Sequence, residues 1–198
     1  MHVNDTRVGI LLAGGLSRRY GSPKAFAEMN GKKFYQIVYD VLQSVCDQVV
    51  IVTRKEFIDW FPKEYHVIVD IDAYSGCGPL AGIYSAMNEK EAKNYVVLPC
   101  DMPLMTSQVL KQLVKLHSTD VTVIRSEGYL QPLVSVWSRN VKLNIETALK
   151  NGRFKMTDVL KKVNTVHVEG ERLTESAQVF MNINTPEEDR EMRKWKGS

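Results

Sequence analysis

The stretch from Val8 to Lys24, VGILLAGGLSRRYGSPK, constrains this chain more than any other. Val8, Ile10, Leu11 and Leu12 form a short apolar run of the kind that makes a buried strand. The run stops at Ala13-Gly14-Gly15, where two adjacent glycines let the backbone approach a ligand and turn its N–H groups on it. Ser17, Arg18, Arg19 and Lys24 follow close behind. Amides that wrap oxygens, with cations that neutralise their charge, suit a polyphosphate. A Gly-Gly pair alone would mark no more than an ordinary strand-to-helix turn; the hydroxyl and the cations shift the reading. There is no GxxxxGK[ST] and no GxGxxG, which counts against a P-loop kinase and against an NAD enzyme.

The rest of the chain is that of a globular protein, with 44% hydrophobic and 25% charged residues. Its 198 residues suffice for a substantial core, and the expectation is a single domain over 1–198. A net charge of +3 permits a local cationic pocket without calling for nucleic acid as partner. No segment approaches the roughly 20 apolar residues that span a membrane, and the N-terminus lacks a signal-peptide pattern, so a cytoplasmic protein is expected. Cys46, Cys77 and Cys100 are an odd count without CxxC spacing and indicate neither a disulfide framework nor a zinc site. Cys100 is expected to be a small buried thiol rather than a nucleophile. His2, His66, His117 and His167 show no metal-ligand spacing.

Hydrophobic spacing predicts helices over 34–45, 80–88, 108–117, 139–150 and 154–163, and a short amphipathic helix around Phe57, Trp60 and Phe61. Strands are predicted over 48–53, 65–69, 95–98, 121–125, 131–137, 165–168 and 179–182, and Asn30-Gly31 reads as a turn. Strand and helix alternate through the first half, which argues an α/β fold with a mostly parallel sheet covered on both faces. Two carboxylates follow apolar strands: Asp70 and Asp101. Asp101 lies between Pro99 and Pro103, stiffened at a strand end where ligands gather in such sheets. Thr106 or Ser107 is the better cap for the next helix, so Asp101 is expected to be unpaired and available to magnesium, which prefers hard oxygen ligands. The segment 76–82, GCGPLAG, makes a loop that opens a helix with Pro79 at its first turn, and such a helix start offers N–H groups to a ligand. Thr185-Pro186-Glu187-Glu188 reads as the start of a last helix.

LLAGGLSRRYGSPK resembles the LAGGxSxRMGxxK signature of nucleotidyltransferases that use a nucleoside triphosphate. Within that superfamily the chain most resembles the molybdenum cofactor guanylyltransferase family. The resemblance continues at GPLAGIYSAM, VVLPCDMPLM, QPLVSVW and NINTPEE, over nearly the whole chain. Tyr20 stands where the family usually has Met, Pro23 where it often has Asp, and Val52-Thr53 where many relatives have Asn. The resemblance implies a Rossmann-like, three-layer nucleotidyltransferase fold in one domain. It implies transfer of GMP from GTP to the terminal phosphate of molybdenum-molybdopterin, with Mg2+. It further implies cofactor-biosynthesis proteins and acceptor molybdoenzymes as partners. Leu12, Ala13, Gly14 and Gly15 would hold the nucleotide through their backbone, and Arg18, Lys24 and Asp101 would be catalytic. Asp70 would lie near the nucleotide, and Gly78, Pro79, Leu80 and Gly82 would line the guanine pocket. Asn182 and Asn184 would face the pterin-bearing substrate. A cytidylyltransferase on the same cofactor, or on another phosphorylated small molecule, shares the loop physics. A nucleotide- or cofactor-binding module without catalysis is the alternative from another class.

Overall fold

In the computed structural model, residues 6–15, 21–185 and 188 are described. Strand β1 (Arg7–Leu12) is the pivot. It pairs in parallel with β4 (Gln48–Thr53) on one side and β6 (Asn94–Pro99) on the other, with Ile10 opposite both Val50 and Val97. Strand β5 (Val67–Val69) extends the sheet beyond β4. Past β6 come β8 (Tyr129–Ser138), β7 (Val121–Ser126) and β9 (Thr165–Glu169), giving the order β5-β4-β1-β6-β8-β7-β9. Only β8 runs antiparallel to its neighbours β6 and β7; the other pairings of this sheet are parallel. A separate two-stranded hairpin, β2 (Glu28–Met29) and β3 (Lys32–Lys33), turns through Asn30 and Gly31. Both turn residues have positive φ, 53° and 76°, as a tight hairpin of native twist requires.

The near-continuous apolar runs of β1, β4 and β6 follow from burial on both faces. Successive side chains point to opposite sides. Leu11, Ile51 and Leu98 pack with α1 (Phe34–Gln43) and α3 (Ser107–Leu116). Ile10, Val50 and Val97 pack with α2 (Pro79–Glu89), α4 (Lys142–Lys150) and α5 (Met156–Leu160). The result is three layers, helices on both faces of one mostly parallel sheet. The Thr106 hydroxyl caps α3 by accepting from the Val109 N–H at 3.3 Å, as its sequence position predicts.

Some expected elements are corrected. The segment 179–182 is not a strand: Ala177–Phe180 is a 3-10 turn. Its apolar residues are satisfied by packing rather than by a ladder, with Phe180 closing over Gly170, where an added Cβ would lie 2.5 Å from the ring. The third strand begins at Val67, not at 65. The helix expected over 154–163 contracts to Met156–Leu160, and the one over 139–150 opens with a 3-10 turn, Arg139–Val141. Both lose end residues, where few side chains reach the core.

The connections place the site. From β1 the chain moves outward to β4 and β5, then returns across β1 to β6 on its far side. The switch in direction opens a crevice beyond the carboxyl ends of β1 and β6, and this is where open α/β sheets bind ligands.

Candidate active site

That crevice is a cleft of about 610 Å³. The glycine turn forms one part of its wall, held against the sheet by both neighbours of β1. The Ala13 N–H donates to the Val52 carbonyl at 2.8 Å, and the Cys100 N–H donates to the Leu12 carbonyl at 3.0 Å. The Thr53 hydroxyl donates to the Ala13 carbonyl at 3.3 Å. Leu12, Gly14 and Gly15 line the cleft. Ala13 is buried beneath them, so it contributes backbone position rather than surface.

Lys24 opens a short 3-10 turn, Lys24–Phe26, pinned by Phe26 packing against Tyr35, Phe57, Trp60 and Phe61. Its ammonium donates to Asp101 Oδ2 at 2.6 Å and to Asn184 Oδ1 at 3.0 Å. The Lys24 and Asp101 side chains are only 11% and 21% exposed, so this pair is poorly screened by solvent. The expectation of an unpaired Asp101 is therefore corrected: β6 ends beside the lysine, and Oδ2 is taken. Oδ1, however, is buried with no hydrogen-bond partner among the described residues. A carboxylate with one oxygen left open is a fit for a hard cation, and magnesium commonly takes one or two carboxylates together with substrate phosphates. Among the described residues no cluster of three or more His, Cys, Asp or Glu could hold a metal by itself. Cys100, next to Asp101, has its thiol pushed up to about 12 by burial, which makes it inert packing.

The other side of the cleft is built around the start of α2. Gly78, with φ +81°, precedes Pro79 at the first helical position. Gly82 lies where α2 crosses β1 and β4; a Cβ there would stand 3.0 Å from Leu12 Cδ2 and 3.3 Å from Val52 Cγ1. Asp70 follows β5 and accepts from the Gly76 N–H at 3.2 Å. Burial pushes its carboxyl above the usual range, against the Gly76 hydrogen bond and the nearby Arg54 guanidinium, which act the other way.

Of the residues singled out in the sequence, Leu12, Gly14, Gly15, Lys24, Asp70, Gly78, Pro79, Gly82, Asp101 and Asn184 meet at this cleft. Leu80 does not; it is fully buried in the core under α2. Asn182 is exposed and outside the cleft lining, and its carbonyl accepts from the Asn184 carboxamide at 3.3 Å. Arg18 lies outside the described residues. Sequence reading missed Arg54 and Glu56, a 2.5 Å ion pair on the cleft wall. Their signal was position alone, immediately after a buried strand whose carboxyl end faces the crevice.

A phosphate-suited turn and a lysine–aspartate pair at the switch point of a parallel sheet define an α/β nucleotide-binding enzyme. Comparison narrows the class. A family model described as MobA-like NTP transferase domain matches residues 9–167. The chain is 40% identical over 184 residues to a probable molybdenum cofactor guanylyltransferase from a Geobacillus species, covering 91% of this chain and 94% of the relative. It is 36% identical over 182 residues to the protein of the same description from Bacillus subtilis, covering 90% of each. The crystal structure of molybdopterin-guanine dinucleotide biosynthesis protein A from Archaeoglobus fulgidus superposes with a TM-score of 0.80 at 26% identity, over 97% of this chain and 99% of that one. The chain belongs to the MobA-like NTP transferase domain family. No helix among the described residues is long and apolar enough to cross a membrane.

Proposed function

We propose that this enzyme transfers GMP from GTP to the terminal phosphate of molybdenum-molybdopterin, giving the guanine dinucleotide form of the cofactor and pyrophosphate. One observation supports the reading above the others: Lys24 and Asp101 are held together beside a glycine turn, with one Asp101 oxygen left open. A binding module needs no such arrangement, and relatives described as guanylyltransferases at 36–40% identity favour guanine over cytosine. The whole chain, 1–198, acts as one nucleotidyltransferase domain in this reading.

The reaction asks little covalent chemistry of the protein. A phosphate oxygen of the acceptor attacks the α-phosphorus of GTP, the bond from that phosphorus to the bridging oxygen breaks, and pyrophosphate leaves with the electron pair. Catalysis then consists of positioning and charge stabilisation. The turn from Leu12 to Gly15 presents backbone to the triphosphate. Lys24 and Arg18 oppose the negative charge that builds on the phosphates and the leaving pyrophosphate. Gly78, Pro79 and Gly82 shape the guanine side, with Asp70 close to the nucleoside.

Nucleotidyltransferases of this family generally use a divalent metal. Magnesium would fit here, and the open oxygen of Asp101 would hold it together with the substrate phosphates. Bound there, it would neutralise phosphate charge.

Pyrophosphate release from purified protein with molybdenum-molybdopterin and magnesium tests the reading. GTP is expected to support release, and a large excess of CTP to compete poorly. Preference for CTP would establish the cytidylyl alternative, and GTP binding without release would establish a non-catalytic module.

A further inference from the structure

Residues 183–185 and Glu188 close on the lysine–aspartate pair from outside the sheet, held by burial and by hydrogen bonds. Ile183 is fully buried with Met29 and Phe34. Its N–H donates to the backbone carbonyl of Asp101 at 2.9 Å. Beyond it, Glu188 and Thr185 exchange hydrogen bonds: the Glu188 N–H donates to Thr185 Oγ1, and Glu188 Oε2 accepts from the Thr185 N–H, both at 3.2 Å. The two bonds form a reciprocal side-chain-to-backbone pair of the capping-box kind. The same Glu188 oxygen also accepts from the Asn184 N–H at 2.6 Å. Asn184 is thus held by its backbone, and its side-chain Oδ1 accepts from the Lys24 ammonium.

We infer that Glu188 and Asn184 are positioning residues for Lys24, so that Asn184 serves the catalytic cation rather than the pterin. The inference rests on the reading of Lys24 as the phosphate cation. An ammonium on a four-carbon stem has many rotamers, and a phosphate site needs one. Asp101 alone fixes it along one direction. A neutral amide oxygen supplies the second direction without adding a negative charge that would compete with the phosphates. A carboxylate at position 184 would hold the lysine equally well but repel the triphosphate. Glu188 fixes the backbone from which that amide projects.

The test is a double-mutant cycle on turnover. Asn184→Ala and Glu188→Ala are each made alone and in combination with Lys24→Ala, with melting temperature followed in parallel. Each single variant is expected to lower kcat about tenfold or more, the scale of a misplaced catalytic group. In the Lys24→Ala protein the same changes are expected to cost within about twofold, because residues acting through one group are not additive. Glu188→Gln, whose amide oxygen can accept from the same two N–H groups, is expected to restore most of the turnover lost in Glu188→Ala. Equal losses with and without Lys24, or a rise in KM for the pterin substrate at unchanged kcat, would overturn the inference and return Asn184 to the substrate. If Glu188→Ala fails to fold, the Asn184 cycle decides alone. Calorimetric titration with tripolyphosphate gives a readout without turnover: Asn184→Asp is expected to weaken its binding and Asn184→Ala to change it less. Wild-type protein inactive with GTP would instead count against the proposed reaction.

Discussion

Asp101 and Asp120 lie at opposite ends of the strands of the same sheet, Asp101 after the carboxyl end of β6 and Asp120 before the amino end of β7, and their surroundings differ in one respect. Asp120 stands before β7, and both its oxygens are used: Oδ1 accepts from the Asn140 carboxamide at 2.7 Å and Oδ2 from the Asn164 N–H at 2.9 Å. Around it, His117 bonds Thr122 and Ser138, each at 2.9 Å, and the Ser138 hydroxyl donates to the Thr119 carbonyl. These are closed networks that tie α3 to β7 and β8. Asp101 stands after β6 with one oxygen paired to Lys24 and the other buried and open. Buried polar groups in folded proteins are normally satisfied. In the proposed reaction, the ligand supplies the missing contact to this carboxylate at the carboxyl end of a parallel strand.

The sharpest way to break this comparison is to make the same change at both aspartates. Asp101→Asn is expected to lower GMP transfer on the order of a hundredfold to a thousandfold, the scale for losing a preorganised charge interaction in a transition state. Its fold should persist. Because Lys24 loses the charge of its carboxylate partner, no gain in stability is expected, contrary to what an unpaired carboxylate would give. Asp120→Asn is expected to leave transfer nearly unchanged while destabilising by about 1 kcal/mol, since an amide cannot accept on both sides. Transfer assays and thermal melts on the two proteins check both arms. Normal transfer by Asp101→Asn would remove this residue from the reaction.

Gly82→Ala probes shape in the cleft that holds Asp101 without touching charge. The new Cβ meets Leu12 and Val52, so some loss of stability is expected, about 1–3 kcal/mol if neighbours must move. Leucine at this position would test packing before it tested base recognition. With alanine, GTP binding should weaken more than tripolyphosphate binding, as titration with each would show. Equal loss for both would confine Gly82 to helix–strand packing.

The smallest effect belongs to the closed network. Burial pushes the His117 imidazole below its usual pKa, outweighing the opposite pull of Asp120. A depressed histidine favours the folded state above its unfolded value of about 6.5, and that contribution is lost as pH falls through the folded value. His117→Gln is expected to be less stable than wild type at about pH 7.5, with the gap narrowing towards about pH 5. Melts across that range would show it; a constant gap would mean that His117 contributes only its hydrogen bonds.

Much of the fold was legible because buried parallel strands leave a plain signal. The run VVIV within Gln48–Thr53 and the apolar stretch before Asp101 could be little else, and their alternation with helices gave the three layers. The segment 179–182 misled because its apolar residues pack by side chain alone, and periodicity does not distinguish that from a ladder. At the site, the glycine turn, Lys24 and Asp101 were legible as chemistry. Leu80 was not separable from Pro79 and Gly82, because which face of α2 meets the core is set by how the helix lies on the sheet.

By itself, the sequence determined most of the elements, the glycine turn and the family, since these depend on local backbone preference and on residues adjacent in the chain. Tertiary structure alone decided that Asp101 is paired with Lys24, that Lys24 also meets Asn184 from 160 residues along the chain, and that one Asp101 oxygen stays open. Pairing across such distances depends on which strand ends the crossover from β5 to β6 brings together. No local pattern encodes that, because the cost of closing the loop is met by packing far from either residue.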